Sequence, residues 1–212
     1  AAASDPLAEA AARRRAPGVP GWLRGLPGPA TAGPAAEAAA RAFAAAVFAR
    51  GRARAGRPRL MPWPAFFPPL DAVADWNRLY GRPGLLQFQG LVPEPGALAT
   101  LARLLEAAAA RPAWLAVLKR FGPGRGGGLS FPGPGWTLAL DMPATRAAEG
   151  VLARLTEILA AAGGRLYLAK DARASRAAFD AGEPRAAAFR ALRAESGASG
   201  VFETALSERL GL

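Results

Sequence analysis

GLLQFQGLV, residues Gly84 to Val92, sets Leu86, Phe88 and Val92 on one parity and Gln87 and Gln89 on the other. Side chains alternate across a strand with a period of two, so the apolar residues share one face and the two amides share the opposite one. Two amides side by side on a sheet face are either solvated or line a polar cavity. WLAVLKRF (Trp114–Phe121) and GWTLALDM (Gly135–Met142) also read as strands, joined by the glycine-rich GPGRGGGLSFPGP. With no crossover helix between these two, pairing is at least partly antiparallel. If all three strands share a sheet, Gln89, Lys119 and Thr137 project from one face into a common cavity, and helix leucines cover the other face.

Helical patterns flank these strands. Leu98, Leu101, Leu104 and Leu105 form a stripe that begins after Pro95, and Val151, Leu152, Leu155, Ile158 and Leu159 form a longer one punctuated by Gly163. RLYLA, from Arg165, reads as a short strand, followed by helical pieces at Ser175–Ala181, Pro184–Glu195 and Glu203–Leu210. Upstream, PAAEAAARAFAAAVFAR opens on Pro34 at a favoured first helical position, sets Phe43 and Val47 four apart, and stops at Gly51. The proline-rich LMPWPAFFPPL (Leu60–Leu70) cannot be helical, because each Pro removes a donor and restricts the residue before it. Residues 1–33 show no sustained period. The expected fold class is α+β: an antiparallel sheet covered by helices, with a small helical C-terminal segment.

Composition narrows the chemistry. The 212 residues include no Cys and no His, which excludes a disulfide framework, an iron–sulfur cluster, an ordinary zinc site and any Ser-His or Cys-His nucleophile pair. The longest charge-free run, Gly126–Leu140, is broken by Gly and Pro and falls short of the ~20 apolar residues that span a bilayer, so an integral membrane protein is not expected. The chain opens without Met and without a signal-peptide pattern, which reads as a cut and not a natural start. Net charge is +11, concentrated in the first 60 residues. That bias could attract phosphate or an anionic membrane, but GRARAGRPR (Gly51–Arg59) carries neither interleaved aromatics nor a recognition motif, so nucleic acid is not expected as a partner. GPGRGGGLS (Gly122–Ser130) lacks the Lys of a phosphate-binding loop, and no helix opens directly after it. Asp71 and Asp75 read as helix-start carboxylates, not as an acid/base pair.

The two lysines are more informative. Lys119 lies within an otherwise apolar strand and Lys170 ends RLYLAK. An ammonium there needs a partner or a cavity, so each is either a structural ion pair or a ligand contact. Residue chemistry alone leads to an α+β domain with a polar pocket lined by Gln and Lys.

Four stretches taken together, FFPPLDAVADWNRLYGRPGLLQFQ, VLKRFGPG, LSFPGPGWTLALDMP and AAGGRLYLAKDAR, with the closing VFETALSERLGL, resemble the C-terminal part of the decaprenylphosphoryl-β-D-ribose oxidase family. These are flavoenzymes of the vanillyl-alcohol-oxidase-type FAD superfamily. The similarity runs from about Arg41 to the C-terminus, and residues 1–40 match weakly. It implies that 41–164 are most of a substrate domain, that 165–212 return to an FAD domain, and that the half holding the FAD pyrophosphate lies outside this chain. It also implies hydride transfer from a ribose 2′-hydroxyl of a polyprenyl-phosphate sugar to non-covalent FAD, with a short-chain reductase as partner in arabinan and cell-wall biosynthesis. The implied location is bacterial, cytoplasmic or peripheral at the inner membrane.

Residue by residue, the resemblance carries the flavin-side lysine onto Lys170 and the flavin-side tyrosine onto Tyr167. It carries the substrate-pocket lysine onto Lys119 and the pocket glutamine onto Gln89, with Gln87 beside it. Three positions depart from the family. Ala139 stands where some members carry a cysteine reached by covalent inhibitors, Thr137 replaces a pocket asparagine, and Phe67 replaces a tyrosine. These departures weaken any claim on the particular sugar. Two alternatives stay open: a broader sugar or sugar-lactone oxidase of the same superfamily, and a non-catalytic basic interaction module using the Arg-rich N-terminal segment.

Overall fold

The structure, a computed structural model, describes residues 34–57, 84–111, 113–124, 126–171 and 173–212. The readings made for residues 1–33, for Leu60–Leu70 with Phe67, and for Asp71 and Asp75 lie outside these. The chain divides into two units at Arg82 and Pro83, and the described part of the first is helix α1 (Pro34–Ala53) with the turn after it. Arg50 and Arg52 occupy its last turn, where cations meet the negative end of the helix dipole. Together with Arg54 and Arg57 they are exposed. So are Val47 and Phe48.

The second unit is built on β1 (Leu85–Pro93), α2 (Ala97–Ala108), β2 (Leu115–Phe121), β3 (Gly135–Pro143), α3 (Arg146–Ala161) and β4 (Arg165–Leu166). The sheet order is β2-β3-β1-β4, and each neighbouring pair is antiparallel. This is the α+β architecture expected from the alternation. Phe88 lies opposite Leu140 and Leu86 opposite Met142, so the apolar parity of both strands falls on one face. Leu101 and Leu104 of α2, with Val151, Leu152, Leu155, Ile158 and Leu159 of α3, cover that face and close a single core with it. Leu104, Leu140, Met142 and Leu155 are completely buried, each side chain of this size contributing about 1.5–3 kcal/mol. Gly90 sits where α3 crosses the sheet, and a Cβ there would lie 2.5 Å from Leu159 Cδ2. The absent side chain lets the helix close on the strand.

Helix α3 is capped by Thr145, whose hydroxyl accepts from the Ala148 N–H at 3.2 Å, and it ends before Gly163 at φ 65, the glycine that punctuates it in the sequence. Two expectations change in detail. Leu98 and Leu105 of the α2 stripe are exposed while Ala97, Thr100, Leu101, Leu104 and Ala108 are buried. Leu98 and Leu105 are seven apart, so they form one row at the margin of the buried face. RLYLA is a strand only over Arg165–Leu166, and Leu168–Lys170 closes into a 3₁₀ turn in which the Lys170 N–H donates to Tyr167 O.

The C-terminal segment forms α4 (Arg176–Gly182), α5 (Ala186–Glu195) and α6 (Ala205–Leu210). Ala174, Phe179, Ala186 and Leu210 make a second small core there, with Leu166, Leu168 and Leu206 packed against it. Ser175 caps α4, and Thr204 with Ser207 forms a capping box on α6.

Candidate functional site

Residues paired across an antiparallel ladder project to the same face, so the register fixes which polar residues can meet. One row across the sheet holds Lys119, Thr137, Leu91 and Arg165. The next holds Val117, Ala139 and Gln89, and Tyr167 continues it, because its N–H donates to Gln89 O at 2.9 Å. A third holds Leu115, Asp141 and Gln87. Lys119, Thr137, Gln89, Gln87 and Tyr167, singled out from the sequence, therefore lie on one face, opposite the leucine core. Lys170 follows three residues after Tyr167 on the 3₁₀ turn.

On this face Gln89, Thr137, Ala139 and Asp141 are buried. Gln89 Nε2 donates to Thr137 Oγ1 at 3.4 Å, and Gln87 Nε2 donates to Asp141 Oδ1. Each glutamine is thus held by a β3 side chain directly or diagonally opposite. Lys119 is exposed because β2 is an edge strand, whose residues Ala116, Leu118 and Arg120 are exposed as well. The edge position removes the desolvation that its apolar neighbours suggested. Lys170 is exposed too. Among the described residues neither lysine enters an ion pair, although seven other such pairs are formed.

Tyr167 stacks on Phe131 with ring centroids 4.6 Å apart, and Phe131 meets Phe121 edge-on at 6.1 Å. Arg165 fixes the Phe131 backbone, donating from Nε and Nη2 to Phe131 O at 3.1 and 2.8 Å and from Nη2 to Pro132 O at 3.0 Å. Burial first, and then the neighbouring Arg185 guanidinium, lower the Arg165 pKa. Arg185 is shifted the other way, upward, chiefly by its hydrogen bonds to Glu183. It also donates to Ser130 O at 2.9 Å. The glycine-rich segment is therefore a β2–β3 connection held at its far end by two arginines.

A cavity of about 510 Å³ opens between β1, α3 and residues 171–178, with Gln87, Gln89, Thr156 and Arg173 in its wall. Lys119 and Thr137 do not line it. A smaller one of about 220 Å³ lies between Phe131, Tyr167, Leu168 and Glu183. The common cavity expected for Gln89, Lys119 and Thr137 is thus neither of these two. Among the described residues no helix is long and apolar enough to cross a membrane.

Sequence reasoning missed Asp141, Phe131 and Arg165. Asp141 was detectable, being two positions after Ala139 and four after Thr137 in the same alternation. Phe131 and Arg165 act through a loop-to-strand contact of 34 residues' separation, which no local pattern encodes.

The residues present fit the ring side of a flavin: an exposed ammonium without an ion-pair partner among the described residues, next to an aromatic residue anchored to the sheet. No protein-family model matches this chain. It is 35% identical over 148 residues to decaprenylphosphoryl-β-D-ribose oxidase of Mycolicibacterium smegmatis, a match covering 69% of this chain and 32% of that protein. It is 47% identical over 110 residues to a Streptomyces coelicolor protein described as an uncharacterized protein in the mprA 5′ region, covering 50% of this chain and 29% of that one. The chain thus spans about a third of the length of the curated relatives it matches. Over its matched part, this chain is related to decaprenylphosphoryl-β-D-ribose oxidase, the family its motifs resemble.

Proposed function

We propose that this chain supplies the substrate-facing part of an FAD-dependent oxidoreductase that oxidises a sugar hydroxyl. Residues 41–164 form most of the substrate domain and 165–212 the segment that returns to the flavin domain. The pyrophosphate-binding half is supplied by polypeptide outside this chain, so the chain alone is inactive. The observation that carries this reading is the register, which aligns Lys119, Thr137, Gln89 and Tyr167 on one sheet face while Lys119 and Lys170 stay clear of ion pairs among the described residues.

The substrate class is a polyprenyl-phosphate ribose, oxidised at the 2′-hydroxyl. When bound, FAD would supply the hydride acceptor: the carbinol carbon would give its hydride to the flavin and the hydroxyl its proton to a base, leaving a ketone. Lys119 on the edge strand donates to phosphate or sugar oxygens, and Gln89 and Gln87 donate amide hydrogen bonds to hydroxyls. Thr137, completely buried, acts by orienting Gln89. Lys170 would support negative charge on the reduced ring, and Tyr167 would border the flavin. A short-chain reductase takes the keto product, and the enzyme is cytoplasmic or peripheral at the inner membrane.

The test uses the chain joined to its flavin-binding half. Removing one preorganised electrostatic contact costs about 10²–10³ in rate, so Lys170→Ala slows flavin bleaching in rapid mixing by that factor at saturating substrate. Lys119→Ala acts mainly through weaker substrate binding. Wild-type bleaching by Lys170→Ala would replace the flavin role with a structural one.

A further inference from the structure

We propose that Asp171 and Arg209 form a clamp that positions Lys170, making the C-terminal helix α6 part of the flavin-facing machinery. The inference rests on the flavin role proposed for Lys170, and it concerns two residues that do not themselves face the ring.

Lys170 lies on a short 3₁₀ turn pinned at both ends. At its start, the Tyr167 N–H donates to Gln89 O at 2.9 Å and ties the turn to β1. At its end, Asp171 makes three kinds of contact. Its Oδ1 accepts from the N–H groups of Arg173 and Ala174 at 3.0 and 2.9 Å, folding the chain back after the turn. Its Oδ2 accepts from Arg209 Nη1 at 2.9 Å. Arg209 also donates from Nη1 to Ala174 O and from Nη2 to Asp171 O, the latter at 3.5 Å. One guanidinium thus grips both the side chain and the backbone of the segment after Lys170, from 38 residues away.

The pair is well shielded, the Asp171 side chain being 10% exposed and that of Arg209 28%, whereas Lys170 between the two anchors is exposed. This contrast separates the clamp from the working group: the ion pair is inside, and the ammonium, in no ion pair among the described residues, is outside. Helix α6 is itself held firmly enough to serve as a support. Arg190 donates to the carbonyls of Leu210 and Gly211 at its C-terminus and to Asp180 Oδ1 of α4, and Leu210 is completely buried in the second core. A long, flexible lysine stabilises growing charge only if its backbone origin is fixed, because a displacement of about 1 Å at a reacting centre costs up to 10²-fold.

The experiment uses the flavin-loaded, full-length enzyme carrying Lys170→Met, Arg209→Met, Arg209→Lys, Asp171→Asn and the double variant Lys170→Met/Arg209→Met. Two quantities are read: the rate of flavin reduction at saturating substrate, and the dissociation constant of sulfite, which adds to the oxidised flavin and reports a cation at the ring without turnover. Arg209→Met is expected to slow reduction by about 10²-fold with little change in KM and to weaken sulfite binding, while Arg209→Lys restores part of both. The double variant is expected to lose no more than Lys170→Met alone, because both act through the same ammonium. Should Arg209→Met fail to fold, Asp171→Asn, which keeps the Oδ1 turn bonds and removes the charge, gives the same reading. If Lys170→Met slows reduction and raises the sulfite dissociation constant but Arg209→Met and Asp171→Asn leave both at wild type, the clamp is refuted while the flavin role of Lys170 stands. If Lys170→Met itself changes neither, the flavin role fails and the clamp falls with it.

Discussion

Replacing Arg165 with methionine tests how the glycine-rich connection and β4 hold each other. The substitution keeps the apolar stem and removes three hydrogen bonds to two carbonyls, those of Phe131 and Pro132. A hydrogen bond from a charged donor contributes about 1.5–3 kcal/mol, so losing both acceptors' partners amounts to about 3–6 kcal/mol before compensation. Part returns, because the partly buried guanidinium no longer loses hydration and no longer opposes Arg185, and because water reaches the freed carbonyls. A net loss of about 2–3 kcal/mol remains. With a urea slope of about 2–3 kcal/mol per molar, the unfolding midpoint followed by near-ultraviolet circular dichroism falls by about 1 M. The Tyr167–Phe131 stack contributes to the same signal. Arg154→Met is the control: its pair with Glu157 at 3.0 Å is exposed on both sides, and such pairs are worth about 0.3–0.5 kcal/mol. Equal midpoint shifts for the two variants would refute the anchoring role of Arg165.

Four further outcomes are expected. Gly164→Ala sets a Cβ 2.7 Å from Leu91 O and 2.4 Å from Leu159 Cδ1, and overpacking against backbone lowers stability by about 1–3 kcal/mol. Gly150→Ala, inside α3 with nothing within 4 Å, raises it by about 0.5–1 kcal/mol; a urea midpoint that rises for Gly164→Ala or falls for Gly150→Ala would contradict the packing statement for that glycine. Leu155→Ala opens a cavity where α3 meets the sheet and costs about 2–5 kcal/mol, checked by thermal unfolding against an Ala substitution at exposed Leu98. The chain purified by itself carries no flavin colour, and stoichiometric flavin absorbance on it would overturn the placement of the pyrophosphate site in another polypeptide segment.

The α+β class, the three long strands, the amphipathic α3 and its punctuation were legible in the sequence, because period-two and period-3.6 patterns are local consequences of burying one face of each element. The same parity argument put Gln87 and Gln89 on one side of β1 before any neighbour was known. It could not say which strand lay next to which. The order β2-β3-β1-β4, which seats Thr137 across from Lys119 and Tyr167 beside Gln89, follows from long-range pairing. So does the edge position of β2, which leaves Lys119 in solvent where its apolar neighbours suggested burial. The lysines themselves stood out by type and place, whereas their supports were invisible locally: Asp171 meets Arg209 across 38 residues, and Arg165 meets Phe131 across 34. Local side-chain chemistry determined which groups this protein brings to its sheet face, and closure of distant segments onto that sheet decided which of them are buried, which are held by partners, and which stay exposed.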